Sequence, residues 1–382
     1  MRLSEDPLDD WLFWANMLHQ LKPEQVNHYR SFFHKELEEL EAILNHNQTM
    51  PRARSLTESH IAAFIAHGIG QLSAGGLQWA QQLFWRVVEE GGSGSIPTQE
   101  SLLTAIALSL DPSISVPFLV QILDLSRPRD SLKRRRRRLA LAALALLAIQ
   151  TRDATPYAAL QQATHHSEED VRGWATGYLG RAYQDAHIPL PPDVQHLFHT
   201  IATSDPAFLP RYKARLNLHA VGISIPFDYP DGVYRFKVKF QHAKRIYRTI
   251  ALRSTDTMQD LHLAIQNAIQ WDNDHLYSFF LYGNRGEDRD LHMVGRWEYE
   301  HGESDNQPAH LWQIGMPGFT LKHTFHYLFD YGDMHEFEID VVGIEEQADP
   351  GDYPRIVASR GEAPEQYPTW DDEEDEEDEE DE

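Results

Sequence analysis

The spacing of apolar residues changes once along this chain. Up to about residue 222 it follows the helical period, and beyond it the strict alternation of strands. Trp11, Leu12, Trp14, Ala15 and Leu18 recur at helical spacing. Pro23 suits the first turn of a second helix running through Phe32, Phe33, Leu37, Leu40 and Leu44. A third opens at Thr57 with Ile61, Phe64, Ile65 and Ile69 on one face, and Gly75-Gly76 is expected to break it. Leu77–Glu90 reads as a fourth, followed by a flexible connector from Gly91 to Ser95. These elements define a helical region over 1–95.

From 96 to 222 the pattern repeats. Similar segments begin at Pro117, Pro156 and Pro192, spaced 39 and 36 residues apart. Each precedes a helix with an arginine near its start and small residues along its body, seen at Arg138–Leu144, Val171–Leu179 and Arg211–Leu216. Paired helices recurring near 40 residues are the signature of a stacked array, since one pair alone cannot bury its apolar stripe. The pattern resembles HEAT-type repeats. An irregular helical bundle is the alternative.

Past the turn-rich stretch Ile225–Gly232, Tyr234, Phe236, Val238 and Phe240 alternate with Arg235, Lys237, Lys239 and Gln241, which predicts a half-buried strand. Ile246–Arg253 should pair with it as a hairpin. Thr257 with Asp260 predicts a capping box, opening a helix whose apolar face is Met258, Leu261, Ile265, Ala268 and Ile269. A third strand follows over Leu276–Tyr282, then a variable insert over about 284–310. His323–Phe329 and Glu336–Val342 read as two more strands, joined by a turn in which Gly332 would supply the permissive dihedrals. The fold class is therefore multidomain: an all-α, HEAT-like N-terminal part, an α+β domain of β-grasp flavour over 225–368, and a disordered acidic tail over 369–382.

Composition narrows the functional classes. The formal net charge is −25, and the twelve consecutive acids Asp371–Glu382 leave −13 on the remainder. Such a chain repels phosphates, which disfavours general nucleic-acid binding. With 0 cysteines, disulfides, thiolate zinc sites and cysteine nucleophiles are excluded. The start Met1–Asp6 lacks a signal-peptide core, and the longest strongly apolar run, Leu139–Ile149, is too short to span a bilayer. A cytoplasmic protein without a membrane partner is expected.

Lys133, Arg134, Arg135, Arg136, Arg137 and Arg138 form a basic run at a helix start, where cations oppose the helix dipole. It reads as a nucleic-acid contact, as a dock for the chain's own acid tail, or as a solvated helix end.

The stretch Leu261-His262 leading to Trp271-Asp-Asn-Asp-His275-Leu276 and then Phe279 resembles the Leu-His helix, Trp-x-x-x-His-Leu and following Phe of the plasmid Orf-three-like domain. That family was first named on an Ri plasmid of root-inducing bacteria and includes TnpR-like passenger proteins of insertion elements. Phe329-Asp330-Tyr331-Gly332-Asp333 followed by His335 is similar to its Tyr-Asp-Phe-Gly-Asp motif. Tyr353-Pro-Arg355 and Gly361-Glu-Ala-Pro364-Glu365 resemble its closing segments. The resemblance covers roughly 233–368. It departs where the family's Pro-x-Trp-Arg is Arg245-Ile-Tyr-Arg248, where Met334-His335-Glu336 replaces Trp-Glu-His, and where Gln366-Tyr367-Pro368 replaces Asp-Cys-Gly-Gly. It implies a bacterial protein with a hairpin, helix and sheet, and no established activity.

Asp274, His275, Asp330, Asp333 and His335 all sit at predicted strand ends and are the candidate cluster, either for a divalent metal such as Zn, Mn or Mg or for a structural hydrogen-bond network. Trp271, Phe279, Tyr331, Gly332, Pro364 and Glu365 would frame a groove beside it. No nucleophile elbow, phosphate loop, HExxH or zinc-finger spacing occurs, so no catalytic residue and no cofactor is assigned. The leading expectation is a non-enzymatic interaction protein with a protein partner, a basic one where the tail binds. The alternatives are a metal-dependent hydrolase or nuclease-like enzyme centred on the Asp/His cluster, and a mobile-element-associated DNA-binding protein using Lys133–Arg138.

Overall fold

The computed structural model describes residues 8–9, 11–12, 74–90, 95–108, 110–125, 133–282, 292–301 and 306–367. The chain divides into two compact units, Met1–Phe227 and Asp228–Glu382. The helices expected over 14–69 and the acid tail lie outside the described residues.

The first unit contains α1 (Ala74–Glu90), α2 (Ser95–Leu108), α3 (Pro112–Asp124), α4 (Lys133–Thr151), α5 (Ala154–Ala163), α6 (Glu169–Asp185), α7 (Pro192–Ser204) and α8 (Phe208–Ala220). Gly75 and Gly76 fall inside the first turn of α1 instead of ahead of it. Pro117 does not open a helix either. Asp111 caps α3 by accepting from the amides of Ser113 and Ile114 at 3.1 and 3.4 Å, so the helix starts at Pro112 and Pro117 lies within it.

Helix α4 is the centre of this unit. Every residue from Leu139 to Ile149 is buried, as an all-apolar helix requires, and α2, α3, α5 and α6 pack around it. Alternate helices also pack in series, α2 on α4, α4 on α6 and α6 on α8. Glycine permits the last of these crossings. A Cβ on Gly173 would lie 2.4 Å from the Leu209 side chain of α8. Arg172 closes the next loop, with Nε and Nη2 donating to the Asp205 carboxylate at 2.8 and 3.0 Å.

The second unit is an eight-stranded sheet with helices. Its strands are β1 (Val233–Phe240), β2 (Ala243–Arg253), β3 (Tyr277–Phe280), β4 (His292–Val294), β5 (Gln307–Pro308), β6 (Thr324–Phe329), β7 (His335–Glu345) and β8 (Arg355–Arg360), and its helices are α9 (Met258–Ile269) and α10 (Arg296–His301). The strand order is β5-β4-β3-β6-β7-β1-β2-β8, antiparallel throughout except for the β4–β5 pair. The predicted hairpin is β1–β2, with Phe236 opposite Ile250. Strands β4, β5 and β8 and helix α10 were not anticipated.

Alternation in β1 sends Tyr234, Phe236, Val238 and Phe240 to the interior. Phe325, Tyr327 and Phe329 of β6 and Phe337, Ile339 and Val341 of β7 join them there. The capping box forms as expected: the Asp260 amide donates to Thr257 Oγ1 at 3.1 Å and the Thr257 amide to Asp260 Oδ2 at 2.7 Å. Helix α9 ends at Gln270, which takes the left-handed conformation, and Arg248 Nε donates to the Ala268 carbonyl at 3.0 Å, satisfying one of the helix's orphan acceptors. Among the described residues no helix is long and apolar enough to cross a membrane.

Candidate functional site

Helix α9 delivers Trp271 to the junction with β3, and the β6–β7 hairpin delivers the second motif beside it. The hairpin turn is not built on Gly332. Its left-handed residues are Asp330 (φ 58°) and Met334 (φ 57°), and the Met334 amide closes it on the Asp330 carbonyl at 2.7 Å. Aspartate tolerates this conformation because its side chain can bond the local backbone. Here Asp330 Oδ1 accepts from the amides of Gly332 and Asp333 at 2.8 and 3.3 Å.

The structure brings three of the five candidate groups together and sets His275 beside one of them, Asp330. One ligand atom each from Asp330, Asp333 and His335 lies within 4.8 Å of the others. His275 Nε2 is 3.4 Å from Asp330 Oδ2. Asp330 is only 5% exposed. His335 packs on Trp271 at a tilt, ring centroids 4.5 Å apart, and its Nε2 is buried without a hydrogen-bond partner. Asp274 turns aside. Its carboxylate accepts from Tyr367 Oη and Gln366 Nε2 at 3.1 Å, and 3.8 Å separates it from His275.

The closing segment is thus tied to the first motif. Trp271 Nε1 donates to the Pro364 carbonyl at 2.9 Å and the Asp272 amide to Gln366 Oε1 at 2.7 Å. Glu365 between them is exposed. Gln366 and Tyr367, where the sequence departs from the family pattern, make part of this seam. Of the groove residues, Phe279 is fully buried core. Tyr331 accepts from Ser278 at 2.6 Å and donates to Glu298 of α10 at 2.7 Å, and burial raises the Glu298 carboxyl above its ordinary range.

A cleft of about 360 Å³ opens alongside, between α9, the 273–277 connection and Gly295–Trp297. Its inner wall holds a buried polar chain that sequence reasoning missed. Tyr327 Oη accepts from Gln266 Nε2 at 2.7 Å and donates to His262 Nδ1 at 2.7 Å. His262 Nε2 then donates to Asn273 Oδ1 at 2.8 Å. Burial disfavours the imidazolium, and a neutral His262 meets both partners with its proton on Nε2. Burial pushes its pKa down to about 4, and its ring stacks on Tyr277 with centroids 3.7 Å apart. At the mouth, Trp297 is 62% exposed. The signal for the chain was present: His262 and Gln266 are polar residues four apart on the apolar face of α9.

The basic run is not a free patch. Arg136 and Arg137 are buried, 5% and 3% exposed, while Arg135 is exposed, so the reading of a solvated helix end holds for only part of the run. Lys133 Nζ and Arg137 Nη1 lie 2.7 and 3.7 Å from Glu168, Arg135 pairs with Glu100, and Arg134 and Arg138 lie over the Trp174 ring at 5.0 and 5.7 Å. Acids of neighbouring elements thus supply counter-charges, and an aromatic ring covers two of the guanidinium groups.

No curated protein matches the chain. The crystal structure of a protein of unknown function, MM3350, from Methanosarcina mazei Go1 is 24% identical, the match covering 35% of this chain and 71% of that one with a TM-score of 0.29. The C-terminal part, residues 232–367, matches the family model of the plasmid pRiA4b ORF-3-like protein, the family its motifs resembled.

Proposed function

We propose that the chain is a non-enzymatic, cytoplasmic recognition protein. Its helical half stacks in HEAT fashion and offers a surface to a protein partner, and its ORF-3-like domain contributes a second recognition site at the cleft. The acid tail adds affinity for basic surfaces.

The observation that carries this reading is that the polar groups around the cleft are committed to the scaffold. His262 is held between Tyr327 and Asn273, and Asp274 by Gln366 and Tyr367. A general acid or base needs a proton it can exchange with substrate. Groups fixed in this way serve instead to shape a preorganised wall. Trp297 at the mouth is a rigid, exposed aromatic of the kind that anchors interfaces. The serial packing of α2, α4, α6 and α8 supports the array reading.

The test is capture from host lysate, with and without nuclease, using the full chain, Trp297→Ala, and a version ending at Thr369. The proposal expects a discrete protein that survives nuclease and is weakened by Trp297→Ala or by loss of the tail. A capture that vanishes with nuclease would favour the DNA-binding alternative, and an empty capture would overturn the proposal.

A further inference from the structure

We infer that Asp330, Asp333 and His335, with His275 beside Asp330, form a binding site for one divalent transition-metal ion. The inference is independent of the recognition reading and assigns no reaction to the ion.

Three observations carry it. The donor set comes first. Carboxylates and imidazole without thiolate suit borderline ions such as Zn²⁺ better than Mg²⁺ or Ca²⁺, which prefer all-oxygen shells. The second is the spacing of His275 and Asp330. At 3.4 Å the pair is longer than a charge-assisted N–H···O bond of about 2.7–2.9 Å. It is close to the separation of two donors on a shared tetrahedral ion with bonds near 2.0–2.2 Å, roughly 3.4 Å. Asp330, Asp333 and His335 place ligand atoms within 4.8 Å of one another, and side-chain rotations that shorten these separations towards roughly 3.4 Å meet those bond lengths. The third is an unmet need: His335 Nε2 is buried without a partner, a state that ordinarily costs free energy.

The surroundings orient these donors. The Gly332 and Asp333 amides hold Asp330 Oδ1, which leaves Oδ2 towards His275. Trp271 buttresses the His335 ring. Such outer contacts set ligand geometry in metal sites. Exposed Asp333 and half-exposed His275 give the ion an approach from solvent.

The full-length chain, stripped with chelator, is titrated with Zn²⁺ alone by calorimetry, and with Co²⁺ as a visible probe of a tetrahedral N/O shell. The probe distinguishes this site from the carboxylates of Asp371–Glu382. One equivalent should bind. Asp330→Asn, which keeps the acceptor of the turn amides, and His335→Ala should each weaken it at least about tenfold. Should either variant lose its circular dichroism spectrum, the exposed Asp333→Asn gives the same readout. His196→Ala, an exposed histidine of α7, should change nothing. Binding below one ion per ten chains, a Co²⁺ spectrum without tetrahedral bands, or affinity unchanged in the cluster variants would overturn the inference.

Discussion

Tyr327→Phe removes one oxygen and strands two groups. Tyr327 is 1% exposed, and its hydroxyl lies between Gln266 Nε2 and His262 Nδ1 at 2.7 Å each. The phenylalanine ring fills the same space, so no cavity forms and the effect isolates the hydrogen bonds. A buried donor and a buried acceptor left unsatisfied cost about 1–3 kcal/mol each. Partial relief by side-chain adjustment brings the expected loss to about 2–4 kcal/mol. For a domain of this size that corresponds to a fall in Tm of about 5–15 °C. Urea unfolding followed by tryptophan fluorescence, which Trp271 beside the site should report, measures it. Adding Gln266→Met to the Tyr327→Phe background removes one of the two orphans and should recover about 1 kcal/mol. A single-variant loss below about 0.5 kcal/mol, or a double variant less stable than the single, would refute the assigned network.

The same burial predicts acid sensitivity. Burial holds His262 and His323 near pKa 4, below the ordinary 6.5, so the unfolded chain binds protons that the folded one does not. Stability should therefore fall as pH drops from 6.5 to 4, by up to about 1.4 kcal/mol per pH unit per histidine, and level off below. Unfolding midpoints at pH 7, 5.5 and 4.5 test this, and a flat profile would contradict it. Gly173→Ala sets a methyl 2.4 Å from Leu209 Cγ, a fully buried side chain, and should cost about 1–3 kcal/mol by thermal melting despite alanine's helix propensity. Arg172→Met leaves Asp205 with an unpaired, largely buried carboxylate and should destabilise the helical unit by about 1–3 kcal/mol, a loss that Asp205→Asn in the same chain reduces.

What the sequence disclosed was local. The alternation Tyr234–Phe240 and the Thr257–Asp260 box each lie within one turn or one strand, and both elements form as their spacing requires. Pro117 misled because a proline reads as a helix start, whereas the stronger cap at Asp111 lies six residues earlier and overrides it. Gly332 misled in the same way: Asp330 and Met334 take the left-handed positions that glycine usually fills. Strand β8 was invisible because Arg355–Arg360 has neither alternation nor a buried face, and only its pairing with β2, about 110 residues away, makes it a strand.

The arginine run shows why charge alone is a poor guide to function. Read along the chain, Lys133–Arg138 is six cations with no partner. In space, Glu100, Glu168 and Trp174, supplied from α2, the turn before α6 and α6 itself, neutralise or cover five of them, and Arg136 donates to Gln99 at 3.4 Å. The Asp/His cluster differs in kind. There the chain brings like-behaving ligands together across 55 residues, from His275 to Asp330, and leaves a buried imidazole nitrogen unsatisfied. Where a fold has absorbed its charges, partners can be named for each, and a structural role suffices. The two places differ in the kind of group gathered, cations already paired at the helix start against carboxylates and an imidazole at the hairpin end of β6 and β7, and that difference makes the hairpin end the place to test for a ligand.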